Sequence, residues 1–151
     1  MKSEVTVTGN RVQVKRSFEA PRPLVFSWWA TPEKLQQWSG CKEATKCEID
    51  MDFRVGGSFV QKLQITGRGE FTIFGTYEEI IEPERIVYRA VYGPVTTRVT
   101  VEFFLENKGT QVVITQEGVP ESFSKTVVDG TTESLEALVP LIVTQILIDH
   151  K

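Results

Sequence analysis

The sequence predicts an α+β fold, a curved seven-stranded antiparallel sheet wrapped around a long C-terminal helix, with two short helices after the first strand. Three observations carry that expectation. Apolar and polar residues alternate through most of the chain after Cys47, and turn signals recur there at short intervals. Toward the C-terminus the apolar period changes from that of a strand to that of a helix.

The elements follow in order. Arg11 to Phe18 alternates, with Val12, Val14, Arg16 and Phe18 on one face. Val5 to Thr8, ahead of a Gly9-Asn10 turn, either extends that strand or forms a hairpin arm of its own. After Ala20-Pro21-Arg22-Pro23, the segment Leu24 to Ala30 reads as a short helix. Thr31-Pro32-Glu33 supplies an N-cap, a proline at the first helical position and an early acid, which start a second helix carrying Leu35 and Trp38. Trp28 and Trp29 are neighbours about 100° apart on the first helix, so one of them is expected to be partly exposed.

Turn signals at Gly56-Gly57, Thr66-Gly67, Glu82-Pro83-Glu84, Gly93-Pro94 and Asn107-Lys108-Gly109 divide the middle of the chain into an antiparallel meander. One face of its strands collects Phe59, Leu63 and Ile65, then Phe71, Ile73 and Tyr77, then Ile86, Tyr88 and Tyr92. It continues through Val95, Thr97, Val99, Val101, Phe103 and Leu105 to Val112 and Ile114. Five meander strands and two earlier ones make the seven. Beyond them Leu135, Leu138, Val139, Ile142, Val143, Ile146 and Leu147 fill successive slots of a helical stripe. A helix from Pro120 to Asp149 would be about 45 Å long, so a kink at Pro140 or a break near Gly130 is expected. The stripe should pack Leu135, Leu138, Ile142 and Ile146 on the concave face carrying Phe71, Tyr88, Val101 and Phe103.

Composition narrows the function classes. The 151 residues fit one domain spanning 1–151, and 40% hydrophobic residues suffice for a core without staples. The balance of 17 basic and 20 acidic residues argues against nucleic acid and anionic lipid as partners. No run approaches the ~20 continuous apolar residues of a membrane span, and the N-terminus has no apolar signal region, so a cytoplasmic protein is expected. Cys41 and Cys47, six apart, match neither a redox pair nor a zinc knuckle and read as ordinary thiols. The single histidine, His150, is next to last, which argues against imidazole chemistry. No metal or cofactor is expected. Gly56-Gly57 lacks the spacing of a phosphate loop and reads as a turn requiring φ > 0. Glu78-Glu79 and the run from Glu48 to Asp52 read as solvated carboxylates, and Arg16, Arg54, Arg89 and Arg98 as solvated or ion-paired.

The segment APRPLVFSWWATPEKLQQW, Ala20 to Trp38, resembles the opening of the START-like, Bet v 1-like (SRPBCC) superfamily, in particular the branch of Hsp90 ATPase activator homologues. FRVGGSF, GTYEEIIEPERIVY and GTQVVIT are similar to later motifs of that branch, so the resemblance covers roughly Val12 to Leu147. It implies the helix-grip fold, often with an apolar cavity between sheet and helix. Two departures concern volume. Thr131 stands where relatives commonly have tryptophan, and Trp28 where they usually have alanine.

The inward aromatics either line a ligand cavity or close-pack as core. On the cavity reading the lining comprises Trp38, Phe59, Leu63, Phe71, Ile73, Tyr77, Tyr88, Tyr92, Val101, Phe103, Val127, Thr131 and Leu135, with a small apolar or aromatic ligand. Thr131 belongs to an inward stripe with Val127, Leu135 and Leu138. The resemblance implies two alternatives, a protein-interaction module with a chaperone as partner and a cyclase- or aromatase-like enzyme. No pair of side chains identifies itself as an acid–base couple, and the chain is expected to be a monomer or a homodimer.

Overall fold

The computed structural model describes residues 3–39 and 44–149. Strands β1 (Glu4–Thr8) and β2 (Arg11–Phe18) form a hairpin about Gly9, whose φ of 58° suits the tight reversal. Helices α1 (Arg22–Ala30) and α2 (Pro32–Leu35) then carry the chain to the far edge of the sheet. From there β3 (Ala44–Met51), β4 (Ser58–Ile65), β5 (Gly69–Ile81), β6 (Arg85–Tyr92), β7 (Val95–Glu106) and β8 (Gly109–Glu117) return as a meander. The order β1-β2-β8-β7-β6-β5-β4-β3, antiparallel throughout, brings β8 back onto β2. A 3₁₀ turn at Glu121–Phe123 leads into α3 (Ser124–Asp149).

The sheet has eight strands, one more than expected. The extra strand is β3, whose Cys47, Ile49 and Met51 face inward while Lys46, Glu48 and Asp50 face out. The run from Glu48 therefore supplies the outward side of an edge strand, where charge discourages pairing with another chain. The expected break near Gly130 is absent. The helix continues from Ser124 through Gly130 and Pro140 to Asp149, and a 3₁₀ turn at Glu121–Phe123 forms its entry. Packing of Leu135, Leu138 and Ile142 into the core favours continuity over the local preferences of glycine and proline.

The expected exposure of Trp28 or Trp29 is also overturned, because both are buried. Helix α1 is covered on two sides. Trp29 meets the Phe103 ring of the sheet at 5.1 Å and Trp38, just past α2, at 4.6 Å. Trp28 lies under the Lys34 ammonium at 5.3 Å, and its carbonyl accepts the Trp38 indole N–H at 3.0 Å. Thr31 caps α2, its hydroxyl accepting the Lys34 N–H. Gly56 has φ of 83°, and a Cβ on Gly57 would collide with the Asp52 carbonyl, so this pair serves the turn into β4.

By length and composition, Glu121–Asp149 is apolar enough to cross a membrane. Here it is the helix that the sheet grips. The buried Arg16 guanidinium on β2 donates to Glu136 at 2.8 Å, and Gln116 on β8 donates to Thr131 at 2.8 Å. Both ties run from the concave face to α3, and β2 is the strand to which α3 runs closest. Arg16 is thus a buried cation with a partner, Arg54 pairs with Asp52, and Arg89 and Arg98 share Glu78.

Candidate functional site

Pairing registers divide the concave face into two parts. Beneath α1 and α3, Val12 and Val14 on β2, Val112 and Ile114 on β8, and Val99, Val101 and Phe103 on β7 are all buried. The part built by β4, β5 and β6 differs. Phe59, Ile73, Tyr88 and Tyr92 are only half-buried there, and Phe71 is 45% exposed. These side chains point to the same face as the core because their strands alternate in the same register, Phe59 opposite Gly75 and Tyr77 opposite Tyr88.

The aromatic part is organised by ring contacts. Phe59 meets Tyr77 at 5.5 Å and Tyr88 at 5.3 Å, and Tyr77 meets Tyr88 at 6.1 Å. Phe53 links this group to the core through Tyr77 at 5.2 Å and Phe26 at 6.0 Å. The Phe59 ring lies over Gly75, where a Cβ would collide both with that ring and with the Arg89 carbonyl. Gly75, Ala90 and Thr97 follow one another across β5, β6 and β7 and make a row of small side chains. No charged residue occupies the inward positions of β4, β5 and β6 named here, which run Phe59, Gln61, Leu63, then Phe71, Ile73, Gly75, Tyr77, then Ile86, Tyr88, Ala90, Tyr92.

All three tyrosines of the chain stand on this face. Burial, then the neighbouring Tyr88, raises the Tyr77 phenol well above its ordinary range. The Tyr88 phenol is pushed up to about 12 by burial and then by Tyr92. At neutral pH these hydroxyls are protonated, polar and uncharged. At the β3 side, Gln61 is buried and its amide donates to the Ser39 hydroxyl at 3.2 Å and the Cys47 sulfur at 3.5 Å. Burial raises the Cys47 thiol, and the Gln61 amide offsets part of that rise, so the thiol is not set up as a nucleophile. Among the described residues no three His, Cys, Asp or Glu side chains converge as metal ligands would. A hollow of about 40 Å³, lined by Lys46, Glu48, Lys62, Gln64 and Glu70, lies on the opposite face and is far smaller than an organic ligand requires.

Of the residues expected in a lining, Phe59, Ile73, Tyr77, Tyr88 and Tyr92 come together, with Leu63 buried beside them and Phe71 at the outer end. Phe71 is too exposed to form the floor under α3, as had been expected from its parity. Val101, Phe103 and Leu135 are fully enclosed core. Trp38 is committed to the α1–α2 junction. Val127 and Thr131 are half-buried on α3, and Thr131 looks inward to Gln116 as its place in the stripe requires. His150 and Cys41 lie outside the described residues. The sequence reading placed Thr97 on the inward face but left it out of the lining, and it overlooked Phe53, Gln61, Gly75 and Ala90. Strand parity alone identifies Gln61 and Ala90 as inward, but a search for large apolar side chains passes over small and polar ones.

The family model for Activator of Hsp90 ATPase homolog 1-like protein matches residues 19–142. The chain belongs to that family. Solved structures agree on the fold. A protein from Chromobacterium violaceum, 24% identical, has a TM-score of 0.79 over 88% of this chain and 96% of its own. A protein from Arthrobacter aurescens, 15% identical, has a TM-score of 0.81 over 93% of this chain and 91% of its own. CalU16 from Micromonospora echinospora, 18% identical, has a TM-score of 0.73 over 97% of this chain and 90% of its own. At these identities the likeness establishes the helix-grip architecture of the superfamily. No match was found among curated proteins.

Proposed function

We propose that this family member holds a small, uncharged apolar or aromatic ligand against the concave faces of β4, β5 and β6, between the sheet and α3. The observation that carries the reading is the half-burial of Phe59, Ile73, Tyr88 and Tyr92 on a face whose other part is dry. A ligand that hid about 200 Å² of this surface would gain roughly 5 kcal/mol from burial before the cost of association, which points to a dissociation constant of about 0.2 mM or weaker. The lack of charge on the inward positions of these strands disfavours an ionised ligand, whose desolvation nothing there would offset. A site in the cytoplasm accords with the free thiol of Cys47.

Nile red titration tests the reading. Ile73→Trp places an indole in the half-open region and should weaken dye binding about tenfold while the protein still melts cooperatively. Equal binding by both proteins would remove the concave face of β5 from the site. Native mass spectrometry of protein isolated from its own cells should show a bound small molecule.

A second reading, docking of another protein such as a chaperone, is favoured by the exposed Val143, Leu147 and Ile148 on α3. Loss of a pulled-down partner on Leu147→Gln, with dye binding intact, would select it. Catalysis is not proposed, since among the described residues the inward positions beside the tyrosines carry no acid or base side chain.

A further inference from the structure

The inner face of β7 carries a threonine among valines. Thr97 is 1% exposed, stands opposite Ala90, and is diagonal to Tyr92, whose own cross-strand partner is Val95. Its hydroxyl and the Tyr92 phenol are both shut off from solvent, and neither finds a hydrogen-bond partner of good geometry within the protein. They are near neighbours nonetheless. Burial raises the Tyr92 phenol, and the Thr97 hydroxyl offsets part of that rise. Two buried hydroxyls that meet without a well-aligned hydrogen bond are costly, and an apolar pair of the same shape would serve a purely structural role better.

We infer that Tyr92 and Thr97 form the hydrogen-bonding end of the site, receiving an uncharged hydroxyl or carbonyl group of a ligand whose apolar body lies along Phe59, Ile73 and Tyr88. This rests on the proposed ligand-binding function and specifies the chemistry of its ligand. The row Gly75, Ala90 and Thr97 carries only small side chains between Phe59, whose ring lies over Gly75, and the hydroxyl pair. Each hydroxyl can donate and accept, which suits an alcohol, a phenol or a ketone equally. No cation stands at the inward positions around them, Tyr88, Ala90, Val95 and Val99, so a carboxylate or phosphate has no counter-charge.

The test is competition against Nile red by 2-naphthol and 2-methylnaphthalene, which share a skeleton and differ by hydroxyl against methyl. Wild type is compared with Tyr92→Phe, Thr97→Val and the double variant, each checked by thermal melting. The affinity ratio of the two competitors is the readout, because it cancels any change in dye affinity. In the double variant it should move toward 2-methylnaphthalene by about tenfold, the value of roughly one hydrogen bond to a group otherwise left unpaired. The single variants should move it part of the way, with melting temperatures equal to or above that of the wild type. They keep the test open if the double variant does not fold. An unmoved ratio with both competitors still binding overturns the assignment of the hydroxyl pair and leaves the ligand site standing. If neither competitor nor the dye binds the wild-type protein, the ligand-binding reading falls and this inference with it.

Discussion

The two parts of the concave face are made by the same strand geometry and end in different states. Under α1 and α3, valines and Phe103 on β2, β8 and β7 are dry, and on β2 and β8 Arg16 is tied to Glu136 and Gln116 to Thr131. On β4, β5 and β6 the inward side chains are larger and more aromatic, yet less completely buried. Hydrophobicity alone would order the two the other way. The difference lies in what covers them: α3 lies closest to β2, toward the other end of the strand order from β4 and β5. A long helix stiffened by its own hydrogen bonds cannot spread sideways to follow a curved sheet.

Substitutions can break or sharpen this contrast. The largest effect is expected at Leu138, fully buried on α3. Leu138→Ala should cost about 2–5 kcal/mol in denaturant melts, while Ile73→Ala on the half-open part should cost less than half as much. Equal costs would mean that both parts are core. Gly75→Ala comes next, because its Cβ would collide with the Phe59 ring and the Arg89 carbonyl. It should destabilise by about 1–3 kcal/mol and weaken Nile red binding, since Phe59 must turn away from β5.

Glu136→Gln should cost about 1 kcal/mol, between the values for exposed and buried pairs, because Arg16 is buried while its carboxylate partner is half-exposed. The sign of its pH dependence follows from the hydrogen bond of Arg16, which holds the Glu136 carboxyl below its ordinary value. Stability from the pair is therefore complete above the unfolded-state value of about 4.3 and is lost as pH falls through the lower folded-state value. The gap between wild type and Glu136→Gln should accordingly close on acidification below about pH 4; a gap that widened would contradict the geometry. The smallest effect belongs to Leu147, 65% exposed on the outer side of α3. Leu147→Gln should change stability by less than about 0.5 kcal/mol.

Much of this fold was legible because alternation and the helical stripe are local patterns that burial enforces residue by residue. The meander, the cap at Thr31 and the inward turn of Thr131 follow from spacing or turn chemistry, while the Gly9-Asn10 turn left a hairpin and a longer strand as alternatives, of which the hairpin forms. Strand β3 was harder to read, because three inward residues among charges also resemble a solvated acidic run. Gly130 suggested a break, yet the helix runs through it.

By itself the sequence determined which side chains share a face, since strand parity and helical phase are properties of the backbone repeat. It also determined that the inward face of β4 to β6 is aromatic and free of charge. Only the tertiary structure decided which part of that face α3 closes, and that Trp28 and Trp29 are both enclosed. It likewise decided that the Tyr92 and Thr97 hydroxyls meet in the interior without partners. These depend on where a rigid helix comes to rest across a curved sheet. That position is set by the sum of packing over the whole core and by ties such as Arg16 to Glu136, and no local window of residues contains it.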